Sequence, residues 1–572
     1  MTALLDQNLN LLWSSLIINE LIKNGIDTFF ISPGNRNVPL IAALAHNPKA
    51  VKRLTIDERA SGFRALGYAK STGKAGVVIC TSGTAMSNYF PALIEACEDE
   101  LPLLVISADR PPELVGSHAN QSIEQTGLFG QFALDSLNLP CPDAFYPLDA
   151  LLAKIDYLVN IKNSPVHINC PFREPLLSPA AVAVSESYLS DARRLFDIPH
   201  PFTEYLPVEP VTGNLKNVEK TIQQTERGLV VIGRMAPSVC RSDLIRFITE
   251  LNWPVYCDIA SGLRGSVPTA LQIPVLDHPT VLEALNTYTP QTILQFGTGL
   301  VSKHYYQTVL ADQTADLILV TAKIGVRDPS HRVNIKIPIQ VDRFIKNYGP
   351  AQDQARDTSA QELFLKAIQT HYLRMEQAIP VEEISFQLLS RLIVTRIPDE
   401  ESLFLGNSIA IRAFDAVQFP SGKTVEIITN RGVSGIEGNL ATAIGYAEAS
   451  HHRITAVIGD ISLLHDLNSL MLINTSQVPI ILIVPNNGGG RIFDRLPARN
   501  YPDVLDPFLT TPHNLDFSHA AAQFNLDYQL TSNPREFAEC YHHALKGERS
   551  ILIEVSIDSE RDLDIFKQSQ RG

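Results

Sequence analysis

Strand-length apolar runs alternate with segments of helical period along most of the chain. In the first third, 28–31, 76–80, 102–107 and 165–169 read as buried strands, and 10–25 and 58–71 carry apolar positions at helical spacing. A second series of runs opens at 228–233, continues through 253–257, 292–296 and 316–320, and ends near Val341. A third opens at 402–406 and includes 454–458 and 478–484. Between these series, 173–214 is rich in proline and poor in periodicity, which predicts a linker. The passage 345–380 predicts mostly helical connecting chain. Strands separated by helices imply parallel sheets. The expected fold class is therefore α/β, with three domains, each a mostly parallel sheet flanked by helices: 1–180, 181–345 with flanking linkers, and 380–572.

Two of these runs end in loops that carry chemistry. The first stops at Gly459-Asp460-Ile461-Ser462, and Leu463, Leu464, Leu467, Leu470 and Met471 then recur at helical spacing. The next run delivers Asn486-Asn487-Gly488-Gly489-Gly490. In open parallel sheets, ligands collect at the carboxyl ends of strands. The Asp460 carboxylate, the Asn487 amide oxygen and a bare Gly489 carbonyl are magnesium-type ligands, which leave other octahedral positions to phosphate oxygens and water. The structural alternative is that Asp460 caps a helix and the glycines make a turn. It accounts for either loop alone, but less well for the pair, 27 residues apart with a strand before each. Glu58 opens a helix, where the dipole favours an acidic residue, and for that segment in isolation a cap is the simpler reading.

Composition narrows the class. A chain of 572 residues suggests three or four domains, and 45% hydrophobic with 19% charged residues is ordinary for a soluble globular protein. The net charge of −14 argues against nucleic acid as a partner. No apolar stretch reaches membrane-spanning length, and the N-terminus lacks an export signature, so a cytoplasmic location without membrane insertion is expected. Seven scattered cysteines show neither a CxxC pair nor zinc spacing, which suits reduced core thiols.

The Gly-Asp and Asn-Asn pair resembles the metal–diphosphate motif of thiamine-diphosphate enzymes, with Ile461 where that motif usually has glycine. Several further segments narrow the resemblance. They are Ile31-Ser-Pro-Gly-Asn-Arg-Asn-Val-Pro-Leu40, Asp57-Glu-Arg59, Cys80-Thr-Ser-Gly-Thr-Ala85, Ser107-Ala-Asp-Arg-Pro-Pro-Glu-Leu114, Ala119-Asn-Gln-Ser-Ile123 and Asn430-Arg-Gly-Val-Ser-Gly-Ile436. Together they resemble the family of 2-succinyl-5-enolpyruvyl-6-hydroxy-3-cyclohexene-1-carboxylate (SEPHCHC) synthases, from about residue 10 to beyond the Asn-Asn-Gly-Gly loop. The resemblance implies the thiamine-diphosphate-binding fold for the first and third domains. It also implies thiamine diphosphate with Mg2+ or Mn2+, and transferase chemistry in menaquinone or phylloquinone biosynthesis. In that chemistry 2-oxoglutarate loses carbon dioxide and the succinyl fragment adds 1,4 to isochorismate.

The same resemblance distributes roles. Glu58 is the catalytic carboxyl, held protonated by burial beside the aminopyrimidine. Ser434, Ile436, Gly459, Asp460, Ser462 and Asn487 join it in cofactor binding, and Asp460, Asn487 and Gly489 hold the metal. Asn35, Arg36, Arg110, Gln121, Lys303, His304, Ser408, Arg412 and Arg431 face the two dianionic substrates, where guanidinium forks fix carboxylates bidentately. Asn35 stands where the family usually has serine, and His304 where it usually has arginine. A neutral imidazole lacks the permanent charge and the fork, so substrate affinity is the property in question. A homodimer or dimer of dimers with shared active sites is implied. The rival readings are another thiamine-diphosphate carboligase or 2-oxoacid decarboxylase, and a catalytically silent scaffold of the same fold.

Overall fold

The computed structural model describes residues 8–570, except 162, 178–183, 207–214, 237–238, 312–313, 324 and 349–356. Its strands form three six-stranded sheets in which neighbouring strands pair parallel. The first comprises β1 (Thr28–Ile31), β2 (Val51–Leu54), β3 (Gly76–Cys80), β4 (Leu103–Asp109), β5 (Asp135–Asn138) and β6 (Pro165–Pro171). The second comprises β7 (Gly228–Ile232), β8 (Val255–Cys257), β9 (Gln272–Ile273), β10 (Thr292–Phe296), β11 (Asp316–Val320) and β12 (Ile335–Ile337). The third comprises β13 (Ser402–Leu405), β14 (Glu426–Thr429), β15 (Ile454–Val457), β16 (Ile480–Asn486), β17 (Asp527–Thr531) and β18 (Ile551–Ser556). The first sheet runs β2-β1-β3-β4-β6-β5 and the third β14-β13-β15-β16-β18-β17, one topology used twice. The second runs β12-β11-β10-β7-β8-β9, a doubly wound order that reverses between β7 and β10.

The chain divides into two compact units. One holds Met1–Val208 with Asn430–Ser450, and the other Glu209–Thr429 with His451–Gly572. In the first unit, the central strands are buried along their whole length, and polar residues they carry there, Ser107, His167 and Asn169, bond to one another. The helix Leu9–Lys23 packs its Leu11, Leu12, Trp13, Leu16 and Ile17 into that core. The helices Glu58–Thr72 and Asn439–Ser450 cross with their backbones nearly touching. A Cβ at Gly67 would stand 2.1 Å from the Thr442 carbonyl oxygen, and one at Gly445 2.0 Å from that of Arg64. Beside this crossing, buried Arg64 gives Nε and Nη2 to the two oxygens of Glu448, at 2.9 and 2.5 Å.

The second unit contains the other two sheets. Asp415 accepts from Arg264 Nη2 at 2.5 Å and Tyr256 Oη at 2.8 Å, joining β8 and the connection after it to the helix Ile409–Asp415. Thr298, after β10, bridges antiparallel to Arg234, after β7, across the point where the strand order reverses.

Three expectations need correction. The region 173–214 is more than a linker, because the helix Glu186–Asp197 lies within it and buries Leu189, Ala192 and Leu195; 178–183 and 207–214 lie outside the described residues. The helix after Gly459 is not continuous. It runs Asp460–His465, tightens to a 3₁₀ turn at Leu467–Ser469 and resumes at Leu470–Ile473. Asp466 stands at the break, where its carbonyl accepts the Ser469 N–H at 2.9 Å, a 3₁₀-type bond, and its carboxylate the Ser469 hydroxyl at 2.6 Å. The strands absent from the reading of apolar runs are mostly edges. β2, β5 and β17 carry polar, largely solvated sequences, as edge strands do.

Candidate active site

Residues at the carboxyl ends of β1, β3 and β4 converge in the first unit. Arg36, on the turn after β1, is buried and gives Nη1 to the Phe172 carbonyl at 3.0 Å and Nη2 to Glu174 at 3.1 Å. Arg110 follows β4 and donates to the Ser82 hydroxyl. Ser82 in turn donates to the Gln121 carbonyl at 3.0 Å, and Gln121 Nε2 returns a bond to the Ser82 carbonyl at 3.1 Å. This double clasp holds Gln121 in the left-handed region at φ 58°. Burial lowers the Arg110 guanidinium pKa, and the nearby Arg36 charge lowers it further. The Asp109 and Glu174 carboxylates oppose that drop, and Glu174 is also the ion-pair partner of Arg36. Asn35 is exposed on the same turn. Ser82 was not singled out from the sequence, although it lies in the Cys80–Ala85 segment; a serine in a Thr-Ser-Gly turn carries no signal of its own.

Glu58 is the first residue of its helix, and Asp57 does the capping, accepting the N–H groups of Arg59 and Ala60 at 2.9 and 3.2 Å. The simpler structural role thus falls to Asp57. Burial raises the Glu58 carboxyl above its usual range, Asp57 adds to the rise, and hydrogen bonds from its own N–H and Asn88 oppose it. Arg431, Ser434 and Ile436 share one loop before the helix Asn439–Ser450, in the same unit. Ser434 sits at φ 61°, and Ile436 is 40% exposed, an unusual position for an isoleucine destined for a core.

In the second unit, Asp460 starts the helix after β15. Its Oδ1 accepts the Ile461 N–H at 2.7 Å and its Oδ2 the Gly489 N–H at 2.9 Å. Burial raises its pKa, while the Gly489, Ile461 and Asn487 N–H groups and the His513 charge oppose the rise. Asp460, Asn487 and Gly489 are thus brought together. Gly489 has φ 140°, and a Cβ there would meet the Thr510 carbonyl oxygen at 2.4 Å, so only glycine closes this loop. Asn486 turns away, giving Nδ2 to Glu554 at 2.7 Å and Leu515 at 2.9 Å. His513, which sequence reading passed over, places Nε2 3.3 Å from Asp460 Oδ2. Ser462 lies two residues into the helix and Gly459 caps it, with open space where a Cβ would project.

The same unit encloses a cavity of about 280 Å³ lined by Lys303, His304, Arg412, Arg391, Arg495 and Tyr372 among others. Asp277 also lines it and accepts the Ser302 hydroxyl, fixing the turn that presents Lys303 and His304. Ser408 is not brought into this lining. It is the residue before the helix Ile409–Asp415, at φ 70°, and its carbonyl accepts Arg412 Nη1 at 2.6 Å.

Three family models match in succession: the N-terminal TPP (thiamine pyrophosphate) binding domain of thiamine pyrophosphate enzymes over 13–128, the middle domain over 186–405, and the C-terminal TPP binding domain over 413–555. The chain is 50% identical over 568 residues to the 2-succinyl-5-enolpyruvyl-6-hydroxy-3-cyclohexene-1-carboxylate synthase of Syntrophus aciditrophicus, covering 99% of both chains. Proteins of the same name from Chlorobium phaeovibrioides (34%, 99% of this chain and 97% of that one) and Salinibacter ruber (35%, 96% and 94%) are also similar. The chain belongs to the SEPHCHC synthase family. It is a transferase that depends on thiamine diphosphate.

The residues present fit that cofactor and a divalent cation. Asp460 is a buried carboxylate, His513 Nε2 3.3 Å from it has no hydrogen-bond partner among the described residues, and Gly459 leaves open space at the helix start. Among the described residues no group of three or more His, Cys, Asp or Glu could hold a metal alone. Among the described residues no helix is long and apolar enough to cross a membrane.

Proposed function

We propose that this synthase decarboxylates 2-oxoglutarate and adds the succinyl fragment to isochorismate, giving SEPHCHC and carbon dioxide on the way to menaquinone or phylloquinone. The C1–C2 bond of 2-oxoglutarate breaks, a carbon–carbon bond forms from the former C2 to the isochorismate ring, and one proton is taken up. The observation that carries the reading is the clasp of Arg110 and Gln121 on Ser82, with the Arg36 charge near enough to lower the Arg110 pKa, in a chain half identical to a protein of that name. Dianionic substrates need such forks; small neutral acceptors do not.

Thiamine diphosphate supplies the electron sink for cleavage next to a carbonyl. Glu58, whose carboxyl pKa is raised by burial, serves the aminopyrimidine as its carboxyl partner. Asp460, Asn487 and the Gly489 carbonyl hold Mg2+ or Mn2+, Gly459 and Ser462 hold the diphosphate, and Ser434 and Ile436 support the rings. Arg36, Arg110, Gln121, Arg431 and Asn35 bind substrate carboxylates, and Lys303, His304, Ser408 and Arg412 do so as well. Residues 1–180 serve as the pyrimidine domain, 181–345 as the central domain and 380–572 as the diphosphate domain. The active form is a homodimer or dimer of dimers in the cytoplasm, with Glu58 of one copy and Asp460 of another serving one cofactor.

The test is product formation from isochorismate, 2-oxoglutarate, thiamine diphosphate and magnesium, comparing the native chain with Glu58→Gln. A large loss in the variant supports reaction and role together; carbon dioxide release without carboligation defeats the isochorismate assignment. Mixing inactive Glu58→Gln and Asp460→Asn chains tests sharing, because random pairing into dimers restores about a quarter of the sites. No recovery under subunit exchange defeats it.

A further inference from the structure

We propose that Glu95 is a positioning residue for the active site. Its carboxylate grips the backbone of the loop 430–438 and so sets where Arg431, Ser434 and Ile436 stand. This rests on the functional reading above, which gives those three side chains their roles.

Glu95 lies in the helix Phe90–Asp99 of the first unit and is 2% exposed. A buried carboxylate needs partners, and here both oxygens are engaged by one loop. Oε1 accepts the Gly432 N–H at 2.7 Å and Oε2 the Val433 N–H at 2.7 Å. Such charge-assisted bonds are the strong kind, and two parallel ones fix direction as well as distance. The approach is so close that a Cβ on Gly432 would stand 2.6 Å from the Glu95 carbonyl oxygen and 3.0 Å from Oε2.

The remainder of the loop is held at both ends. Asn430 Nδ2 donates to the Thr442 hydroxyl at 2.9 Å, and that hydroxyl donates to the Gly438 carbonyl at 2.8 Å. Asn439 Nδ2 donates to the Ile436 carbonyl at 2.9 Å. Glu95 supplies the mid-loop hold, between the residues assigned to substrate and those assigned to cofactor. Ser434, directly after the gripped pair, occupies the left-handed region that a serine rarely adopts. A conformation of that kind persists only where surrounding contacts over-determine it, and the Glu95 clamp is such a contact.

The experiment compares the native chain with Glu95→Gln and, independently, Gly432→Ala, which pushes the same loop from the other side. Three quantities are read: thiamine diphosphate affinity with magnesium by calorimetry, KM for isochorismate, and hydrogen exchange at residues 432–433. Loss of one charge-assisted acceptor should weaken cofactor binding and raise KM by roughly tenfold each, with faster exchange confined to the loop. The two variants should combine less than additively, because they disturb one contact. Unchanged cofactor affinity and KM in both folded variants, with only the amount of active protein reduced, would show Glu95 to be purely structural and overturn the proposal. Cofactor affinity is read without substrates, so a wrong substrate assignment leaves this test intact.

Discussion

Acidification should weaken the first unit through one buried histidine. His167 on β6 is 1% exposed, its Nε2 is 2.8 Å from the Ser107 hydroxyl, and its ring meets Phe129 edge-on at 5.2 Å. Burial lowers its pKa from 6.5 to about 3. In the unfolded chain the ring binds a proton near pH 6.5, so between pH 6.5 and 3 the unfolded state holds more protons than the folded one. The stability this site contributes is complete above pH 6.5 and is lost progressively as pH falls towards 3. At pH 5 the ratio of proton-binding terms is about 30, a loss of about 2 kcal/mol relative to pH 7.5. The assay uses the two tryptophans, Trp13 and Trp253. Trp13 lies in the core of the first unit, so in a Trp253→Phe background its fluorescence reports that unit. Urea unfolding is compared with and without His167→Gln, which can still bond Ser107 but cannot titrate. The variant is less stable throughout, through lost packing, but its pH dependence should be shallower by about 2 kcal/mol between pH 7.5 and 5. Parallel pH profiles for the two proteins would refute the reasoning.

Other predictions concern particular contacts. Burial, with Asp415 nearby, raises Asp258 to about 7 in the second unit. A raised carboxyl binds more protons folded than unfolded, so its contribution is present below about pH 4 and fades as pH rises through about 7; Asp258→Asn should flatten that part of the melting-temperature profile. Gly489→Ala forces a Cβ against the Thr510 carbonyl and should weaken Mn2+ binding, followed by paramagnetic resonance, by about tenfold or more, for about 1–3 kcal/mol of strain. Glu448→Gln leaves the Arg64 guanidinium buried without its carboxylate and should cost the first unit about 3 kcal/mol in urea unfolding. The double change Arg64→Met, Glu448→Leu should cost less than that single one, because no charge is then left behind.

Much of the architecture was legible because buried parallel strands announce themselves. The runs at β3, β10 and β15 have little but apolar residues, since both faces are covered, and turn residues end them. The loops after β15 and β16 were legible for the same reason: chemistry-bearing residues directly follow strands. Edge strands such as β2 and β17 were not, because half of each faces solvent and the pattern dissolves. Glu186–Asp197 was lost among flanking prolines, although its apolar positions have helical spacing.

What the sequence by itself determined is the set of parts: three parallel α/β sheets, two glycine-bearing loops with a carboxylate and an amide, and a supply of arginines after strands. Which parts meet was decided only in three dimensions. Nothing local tells Ser82 to bridge Arg110 and Gln121, or Glu95 to take hold of a loop more than 300 residues away. Nor does spacing tell Asp57 from Glu58; the cap geometry does, by engaging Asp57 with Arg59 and Ala60 and leaving Glu58 half-buried with a raised pKa. Local pattern follows from each residue's own preference for water or core. Partner choice follows from unsatisfied groups meeting at the close of packing, and that is a property of the whole fold.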